Sequence, residues 1–486
     1  MMPSLARAMA PLLRSAALGL PVLIASATAA RAQAAQGARA VATASTDIAT
    51  SYRAVADSLI RAATGDSAAY RRLGRLVDTF GPRLSGTASL EAAIDWILEL
   101  MKSDGLENVR GEPVMVPRWV RGAESAELVK PRPAKLALLG LGGSVGTPKN
   151  GITAPVLVVS SLEELTARAA DAKGKIVLFD APFTEYPVSR RIRTDGPSAA
   201  ARVGALACLI RSVASSSIRS PHTGATRYDS TVARIPAAAL SVEDAMMLHR
   251  FQDRGESVVV TLRMGARMLP DSPSRNVVAE IVGREKPDEV VVLGGHIDSW
   301  DVGQGAMDDG GGSVAAWEAV RTMKRLGLRP RRTVRVVLWT NEENGGRGGL
   351  GYRDAHSAEL PKHVLAMESD NGVFNPKGYV ISGSDSAVSV VQQVAGLLQP
   401  INAAGVQRVD GSPAADITPL SEAGVPTMEL DVDGSRYFWY HHSDGDTLDK
   451  LDPGELARCV AAMAVMAYVV ADLPDPLPQA PPSLAP

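Results

Sequence analysis

Residues 289–312 read EVVVLGGHIDSWDVGQGAMDDGGG, and this stretch decides the fold. An apolar run of strand length, 289–293, leads into a polar loop, and a glycine-rich segment then opens a helical pattern. In open α/β sheets, polar residues that follow the carboxyl end of a strand form sites. His296 and Asp298 are two residues apart and point the same way in an extended chain, which suits a histidine ligand oriented by a neighbouring carboxylate. Asp308 follows in a loop too rich in glycine to be packing filler.

Three further polar clusters follow apolar or aromatic runs. They are TNEENGGRGG (340–349) after the run 333–339, ESD (368–370) after 364–367, and YHHSDGDT (440–447) after 437–440. Strand and helix patterns alternate from about residue 275 onward, which predicts an α/β fold with a mixed sheet and helices on both faces. Glu342 and Glu343 are adjacent at a strand end and project in different directions. One can therefore bind a metal ion while the other reaches a bound water.

The four clusters together supply histidines and carboxylates and no thiolate. This ligand set suits two divalent ions that share a bridging carboxylate, with zinc as the leading candidate. Two such ions, about 3.5–4 Å apart, can hold a substrate carbonyl and an attacking water, and a nearby glutamate can accept the water's proton. Taken alone, His296 would more often be structural, Asp308 could cap a helix, and the two glutamates would be a solvated pair. Their joint occurrence at the ends of strands favours a metal site.

Composition and charge exclude several classes of protein. A chain of 486 residues with 45% hydrophobic and 21% charged residues is a globular protein of two or three domains. The net charge of −2 gives no electrostatic case for nucleic-acid binding. The two cysteines, Cys208 and Cys459, exclude a disulfide scaffold, and both are expected to be buried small hydrophobes.

The first 34 residues have the pattern of a secretory signal peptide. Arg7 and Arg14 precede a run of apolar and small residues at 15–30, and the sequence at 30–34 offers small-x-small cleavage sites. The alternative is an alanine-rich leader without that role. No later run reaches the roughly 18 apolar residues of a membrane span. The expected location is therefore a periplasm or the outside of the cell, with no membrane span in the mature chain.

At its four polar clusters the chain resembles the co-catalytic zinc exopeptidases, the family of bacterial leucyl aminopeptidases and glutamate carboxypeptidases, and within it the plasma glutamate carboxypeptidase subgroup. The stretches that carry the resemblance are GGHIDSWDVGQGAMDDGGG, LWTNEENGG, MESDNG and HHSDGDTLDKLDP. The resemblance covers most of residues 48–472. One departure is Asn341, which stands where the family often has Ala or Ser before the double glutamate.

The resemblance implies a role for each residue of the clusters. His296 and Asp370 would hold one zinc ion, Glu343 and His442 the other, and Asp308 would bridge both. Glu342 would be the general base, and Asp298 would orient His296. His442 is preferred to His441 because the family pattern His-Ser/Thr-x-x-Asp-Thr is matched from His442 onward. A cis peptide between Asp308 and Asp309 is also implied.

Composition and strand patterns divide the chain into five parts, of which the resemblance names the peptidase and protease-associated domains. The predicted parts are a signal peptide (1–34), the N-terminal part of the peptidase domain (35–117), an inserted β-rich protease-associated domain (118–270), the metallopeptidase domain (271–473) and a Pro-rich disordered tail (474–486). The inserted domain would cover the site. The expected substrate is a dipeptide or short peptide, and the subgroup suggests a homodimer.

Several readings stay open at this stage. Asp416 could receive a free amine, as an aminopeptidase needs, and Arg347 could receive a terminal carboxylate, as a carboxypeptidase needs. Asp416 could instead support a metal ligand from behind or be a turn residue, and Arg347 could be merely solvated. The alternatives to a peptidase are a non-catalytic receptor-like protein, a glutaminyl cyclase with one zinc ion, and a two-metal phosphatase or nuclease. All the ligand positions are present, which argues against a receptor-like protein. The inserted module argues against a glutaminyl cyclase, and the lack of an excess of basic residues argues against a phosphatase or nuclease.

Overall fold

The computed structural model describes residues 48–479, in which two sheets of eight strands each are found. The strands are β1 (Glu107–Val120), β2 (Glu124–Lys130), β3 (Ala134–Leu136), β4 (Leu138–Gly140), β5 (Ile152–Val159), β6 (Ile176–Phe179), β7 (Ala207–Arg211), β8 (Ala237–Leu240), β9 (Val259–Met264), β10 (Arg267–Ile281), β11 (Lys286–His296), β12 (Arg332–Trp339), β13 (His363–Glu368), β14 (Pro376–Ser382), β15 (Gly405–Arg408) and β16 (Thr427–Val432). The helices are α1 (48–64), α2 (Ala68–Phe80), α3 (Ala88–Ser103), α4 (Leu162–Ala167), α5 (Ala169–Ala172), α6 (Tyr186–Arg202), α7 (Val242–Asp253), α8 (Gly311–Arg325), α9 (Arg347–Ala355), α10 (Asp385–Ala395), α11 (Thr418–Glu422), α12 (Tyr437–Tyr440) and α13 (Pro453–Asp472).

The first sheet has the strand order β1-β10-β12-β11-β13-β16-β14-β15. Its central strand β11 runs parallel to β12 and β13, and β13 runs parallel to β16. The strands β10 and β14 are antiparallel to their neighbours β12 and β16. The carboxyl ends of four central strands therefore meet at one edge, and the prediction of a mixed α/β sheet is confirmed.

Both faces of the first sheet are covered by helices. All eight residues of β12 are buried. Val290 and Val292 pack in one cluster with Tyr352 of α9 and Leu420 of α11. On the other face, a Cβ at Gly295 would lie 2.8 Å from the amide nitrogen of Ser313, so α8 begins where only glycine leaves room for it. The prediction of helices on both faces is confirmed.

The second sheet has the order β3-β2-β9-β5-β6-β7-β8-β4, and its strands all lie between Glu124 and Met264. The strands β5 to β8 are parallel neighbours whose aliphatic side chains are buried. The chain leaves the first sheet on β1 and returns on β10, and these two strands pair antiparallel up to Val120 and Arg267. The exact boundaries 118–270 and the protease-associated identity of this part stay predictions.

Some predicted elements differ from the observed ones. The pattern at 197–203 predicts only a short helix, whereas the observed helix α6 has 17 residues. Pro197 lies inside it and its residues are largely polar, so its amino-terminal part gives no clear helical signal. The edge strand β1 and the strand β16 were not predicted. Both carry charged residues or prolines among their apolar ones, and their pairing partners are distant in sequence.

The two ends of the chain have different outcomes. The predicted signal peptide (1–34) and residues 35–47 lie outside the described residues, as do residues 480–486. The prediction of a disordered tail from residue 474 is wrong for 474–479. The fully buried guanidinium of Arg332 needs acceptors and donates to the carbonyl oxygens of Leu473 and Pro474, and Leu477 is buried.

The remaining predictions about burial can be checked directly. Cys208 and Cys459 are buried and unpaired, as expected. Within residues 48–479, α13 is long and apolar enough to cross a membrane by length and composition, and 83% of its apolar window is buried inside the fold. It packs against α8 and α2, so it serves here as a core helix.

Candidate metal centre

The loop after β11 is held by a carboxylate from far along the chain. Asp446 accepts hydrogen bonds from the amide groups of Ala306 (3.0 Å), Met307 (2.7 Å) and Asp308 (3.2 Å). These residues belong to the segment Ala306–Gly310, which precedes α8 and in which the backbone of Asp308 and Asp309 is not helical. The peptide bond between Asp308 and Asp309 is cis, as the resemblance implied. The hydrogen bonds to Asp446 hold Asp308 at the carboxyl edge of the first sheet.

His296 contacts two carboxylates through one ring nitrogen. Its Nε2 lies 3.1 Å from Oδ1 of Asp308 and 3.1 Å from Oδ1 of Asp370. Its Nδ1 donates to the main-chain carbonyl of Asp298 at 2.9 Å, whereas the Asp298 carboxylate is 3.7 Å away. The main-chain carbonyl of Asp298 thus fixes the orientation of the His296 imidazole, so that Nε2 faces Asp308 and Asp370.

His442 contacts two further carboxylates in the same way. Its Nε2 lies 3.2 Å from Oδ2 of Asp308 and 3.0 Å from Oε2 of Glu343. The neighbouring imidazole of His441 is also buried, but its Nε2 is 3.6 Å from Oδ2 of Asp308. The two oxygens of Asp308 therefore face two different histidines, and of the adjacent pair it is His442 that also reaches Glu343.

Glu342 lies beside this group. Its amide donates to Oδ1 of Asp298 at 3.1 Å, and Oδ2 of Asp298 accepts from Ser85 at 3.1 Å. Burial raises the pKa of the Glu342 carboxyl to about 8. The Asp298 carboxylate therefore anchors the chain that carries Glu342, a role that the sequence analysis did not assign to it.

The residues of this group carry more negative charge than the two histidines can balance. Burial, followed by the nearby Asp308 charge, raises the pKa of Glu343 well above its usual range. Burial acts in the same direction on Asp308, but hydrogen bonds from His296 and His442 hold its pKa well below the usual range. Oε1 of Glu343 is buried and has no hydrogen-bond partner among the described residues. Such a set of acceptors fits divalent cations.

The described part of the chain contains three groups of residues that could hold a metal ion, and within each group the ligating atoms lie within 4.8 Å of one another. They are Asp308–His441–His442, His296–Asp308–Glu343 and His296–Asp309–Asp370. All the residues predicted as metal ligands belong to them. Asp309 is also present, but its carboxylate accepts from the amide groups of His296 and Gly312, both at 3.0 Å, and so it closes the loop from within.

A cavity of about 810 Å³ opens over this group. The first sheet contributes Glu342, Asp370 and Glu429 to its lining, and the part of the chain that forms the second sheet contributes Arg190 and Arg227. Neither arginine's guanidinium group has a hydrogen-bond or ion-pair partner among residues 48–479. A cavity of this volume is within the range of small-molecule sites.

The two residues considered for substrate polarity lie elsewhere. Arg347 is exposed at the start of α9 and does not line the cavity. Asp416 is buried behind the wall, and neither of its carboxylate oxygens has a hydrogen-bond partner among the described residues. Glu429 was missed because it lies in β16, and Arg190 and Arg227 because nothing in their local sequence points to a site 100 residues away.

Two other residues have structural roles at the site. The fully buried guanidinium of Arg83 donates to the carbonyl oxygens of Ile297, Gln304 and Gly305, at 2.8 to 2.9 Å, and so braces the loop after β11. Asn341, the departure from the family pattern, has φ of 66° and donates to Ser85 at 3.0 Å. Asn tolerates this left-handed conformation better than Ala or Ser, which explains its presence here.

Comparisons with known proteins agree with this geometry. The model of peptidase family M28 matches residues 276–467. Carboxypeptidase Q of cattle (Bos taurus) is 51% identical over 432 residues, which are 88% of this chain and 91% of that protein.

Two solved structures share the fold. A peptidase M28 precursor from Shewanella amazonensis has a TM-score of 0.85 at 37% identity and covers 88% of this chain and 99% of its own. A zinc aminopeptidase from Bacillus subtilis has a TM-score of 0.63 at 21% identity and covers 84% of this chain and 98% of its own. The predicted resemblance and the prediction of a metallo-exopeptidase are confirmed: this chain belongs to peptidase family M28.

Proposed function

We propose that this chain is a two-zinc exopeptidase acting on dipeptides or short peptides. His296 and Asp370 would hold one ion, Glu343 and His442 the other, and Asp308 would bridge them. The observation that carries the proposal is the Asp308 carboxylate, whose two oxygens lie 3.1 and 3.2 Å from the Nε2 atoms of two different histidines. Zinc is favoured because the ligands are imidazole and carboxylate groups.

The chain's own residues would carry the proton and position the groups. When bound, two zinc ions supply a Lewis acid for the scissile carbonyl and lower the pKa of an attacking water. Glu342 would accept the proton of that water and deliver it to the leaving amine. Its carboxyl group lines the cavity, and the Asp298 carboxylate anchors its backbone, so the base is held in place before substrate arrives.

The charges of the cavity wall support a substrate with both termini free. Glu429 and Asp370 line the wall beside the proposed ions, and the Glu429 carboxyl group, which already accepts from Asn371, offers a further acceptor to an ammonium group. Arg190 and Arg227 offer unpaired guanidinium groups to a carboxylate. In a cavity of about 810 Å³ both walls can be reached by a short peptide. This assignment replaces the earlier candidates Asp416 and Arg347.

The two walls of the cavity are compatible with a peptide that has both of its termini free. Similar proteins bear both names, carboxypeptidase Q and zinc aminopeptidase. A dipeptide is the one substrate for which the two polarities coincide. We propose dipeptides as the preferred class, and we also propose export to a periplasm or the outside, supported by the signal-peptide pattern of residues 1–34.

The test is a panel of peptides assayed with zinc added and removed. The panel contains a dipeptide, its N-acetylated form, its C-amidated form and the corresponding tripeptides. We expect hydrolysis of the free dipeptide that is lost on chelation and restored by zinc, with both blocked forms cleaved at least ~10-fold more slowly. Rapid cleavage of either blocked dipeptide would contradict the assignment of that wall, and zinc-independent turnover would contradict the mechanism. Sequencing the N-terminus of the exported protein tests cleavage near residue 34.

A further inference from the structure

The backbone at His442 adopts a conformation that a histidine rarely takes. Its φ is 60°, in the left-handed region that favours glycine. Strained residues of this kind persist only where the surrounding structure holds them, and they concentrate at functional sites. The conformation turns the imidazole toward Asp308 and Glu343, 3.2 and 3.0 Å away. Something must therefore hold this backbone in place.

Two hydrogen bonds from a single dipeptide hold it. Nδ1 of His222 donates to the carbonyl oxygen of His441 at 2.6 Å, and the amide of Thr223 donates to the carbonyl oxygen of His442 at 2.8 Å. These two carbonyl groups belong to the peptide planes on either side of the His442 Cα atom. Fixing both planes fixes φ and ψ of His442.

The dipeptide itself is anchored in the second sheet. The amide of His222 donates to Oγ of Ser212 at 2.8 Å, and Ser212 follows β7 and bonds to Leu240 of β8. The Thr223 hydroxyl donates to the carbonyl of Gly140 in β4 at 2.7 Å. His222 and Thr223 are almost completely buried. The dipeptide is therefore a rigid part of the second sheet and brings that rigidity to the site.

We infer that His222 is a positioning residue for the zinc ion held by Glu343 and His442, and that it makes the binding of this ion depend on the second sheet. This inference rests on the proposed two-zinc function. The His222 side chain does not line the cavity. It acts by holding the peptide plane that precedes His442, and it leaves the ion at His296 and Asp370 unaffected. The carbonyl oxygen of His441 can only accept, so Nδ1 of His222 must be the donor.

The test measures zinc binding to the full chain rather than activity. Zinc bound per chain is recorded against free zinc fixed by a chelator buffer, for the wild type, His222→Ala and His222→Asn. The Asn amide nitrogen takes the place of Nδ1 and keeps the donor. We expect His222→Ala to weaken one of the two binding steps by about 10- to 100-fold, the range for residues that orient a metal ligand. The other step should change less than about 2-fold, and His222→Asn should lie close to the wild type.

Two controls separate positioning from general damage. His249→Ala removes an imidazole that also belongs to the second-sheet part and bonds to Asp180 at 2.7 Å, and it should leave both steps unchanged. In a His442→Ala background, His222→Ala should have no further effect on zinc binding, because it acts through His442. If His222→Ala does not fold, His222→Leu takes its place, since it keeps volume without the donor.

The zinc-binding measurements distinguish failure of the His222 inference from failure of the proposed function. Two unchanged steps in His222→Ala, equal weakening of both steps, or failure of His222→Asn to restore binding would each overturn the inference. A wild-type chain that binds fewer than two zinc ions would instead contradict the proposed function, and this inference with it.

Discussion

The two sheets place their charges differently around one cavity. At the carboxyl edge of the first sheet, buried acids cluster about His296 and His442, and every group of metal-ligating atoms found in residues 48–479 lies there. The second-sheet part gives the same cavity Arg190 and Arg227, with guanidinium groups that pair with no described residue. The first sheet has an excess of negative charge and the second an excess of positive charge where they face each other.

The difference indicates a division of work. The first sheet would bind cations and carry out proton transfer, whereas the second would receive an anionic group of the substrate and hold one metal ligand in place. The parallel strands β11, β12 and β13 explain the first half, because their carboxyl ends bring distant residues to one edge. The second half depends on contacts between parts of the chain that lie far apart in sequence.

The largest effect is expected for Glu342→Gln. The substitution keeps the shape of the side chain and removes the proton acceptor, so turnover should fall by at least ~100-fold, within the range for loss of a general base. Zinc content measured by elemental analysis should stay at the wild-type value, since Glu342 is not a proposed ligand. Near-normal activity in a zinc-replete sample would rule out this role, and proton transfer could then not be assigned to Glu342 at the edge of the first sheet.

The next effect is expected for Arg227→Ala. Losing one charge-assisted hydrogen bond to the substrate should lower kcat/KM for a free dipeptide by about 10-fold, mainly through KM. The C-amidated dipeptide should be almost unaffected. Arg191→Ala is the matched control, because Arg191 neighbours Arg190, pairs with Asp195 and does not line the cavity. Equal loss on both substrates would show that the second sheet does not recognise a carboxylate.

A smaller and complementary effect is expected for Glu429→Gln. The carboxyl group lies on the opposite wall, so replacing one of its oxygen acceptors by an amide nitrogen should raise KM for peptides with a free amine by several-fold and leave the N-acetylated peptide unchanged. Initial rates on the two peptides measure the difference. A loss of zinc in this variant would mean that Glu429 acts through the neighbouring Asp370 rather than on the substrate.

The sequence predicted one of these two regions far better than the other. The clusters at 296–308, 342–343, 370 and 442 each follow a strand or a short aromatic helix, and residues of this kind in this setting indicate a metal site without any knowledge of the fold. Arg190 and Arg227 gave no such signal, since they lie in an ordinary basic helix and loop. Their meaning depends on the second sheet packing against the site, which local patterns do not encode. His222 likewise lies outside the polar clusters of the sequence, and the structure shows that it supports the backbone of His441.

The two ends of strand β13 carry groups with different roles. The carboxyl end of β13 leads to Asp370, whereas its amino end carries His363, which is buried between Tyr352 and the carbonyl of Glu359 at 2.9 and 3.1 Å. Burial, together with the charges of Arg335 and His356, lowers the pKa of His363 to about 4, against about 6.5 in the unfolded chain. The folded state therefore binds fewer protons than the unfolded state between these values, so acidification destabilises it.

The difference should be visible in the free energy of unfolding. On going from pH 7 to pH 5, the lowered pKa of His363 should reduce the wild type's free energy of unfolding by about 2 kcal/mol. A residue that does not titrate at this position would not cause this loss. His363→Asn keeps the Nδ1-type donor to Glu359 and cannot titrate, so its stability should fall less over this interval. Urea unfolding of both proteins at the two pH values measures the double difference, in which all other titrating groups cancel. If the two proteins lose stability equally, folding does not shift the pKa of His363, and the amino end of β13 is not a site of pH-dependent stability. If activity at pH 7 is unchanged in the variant, the chemistry of β13 is confined to its carboxyl end.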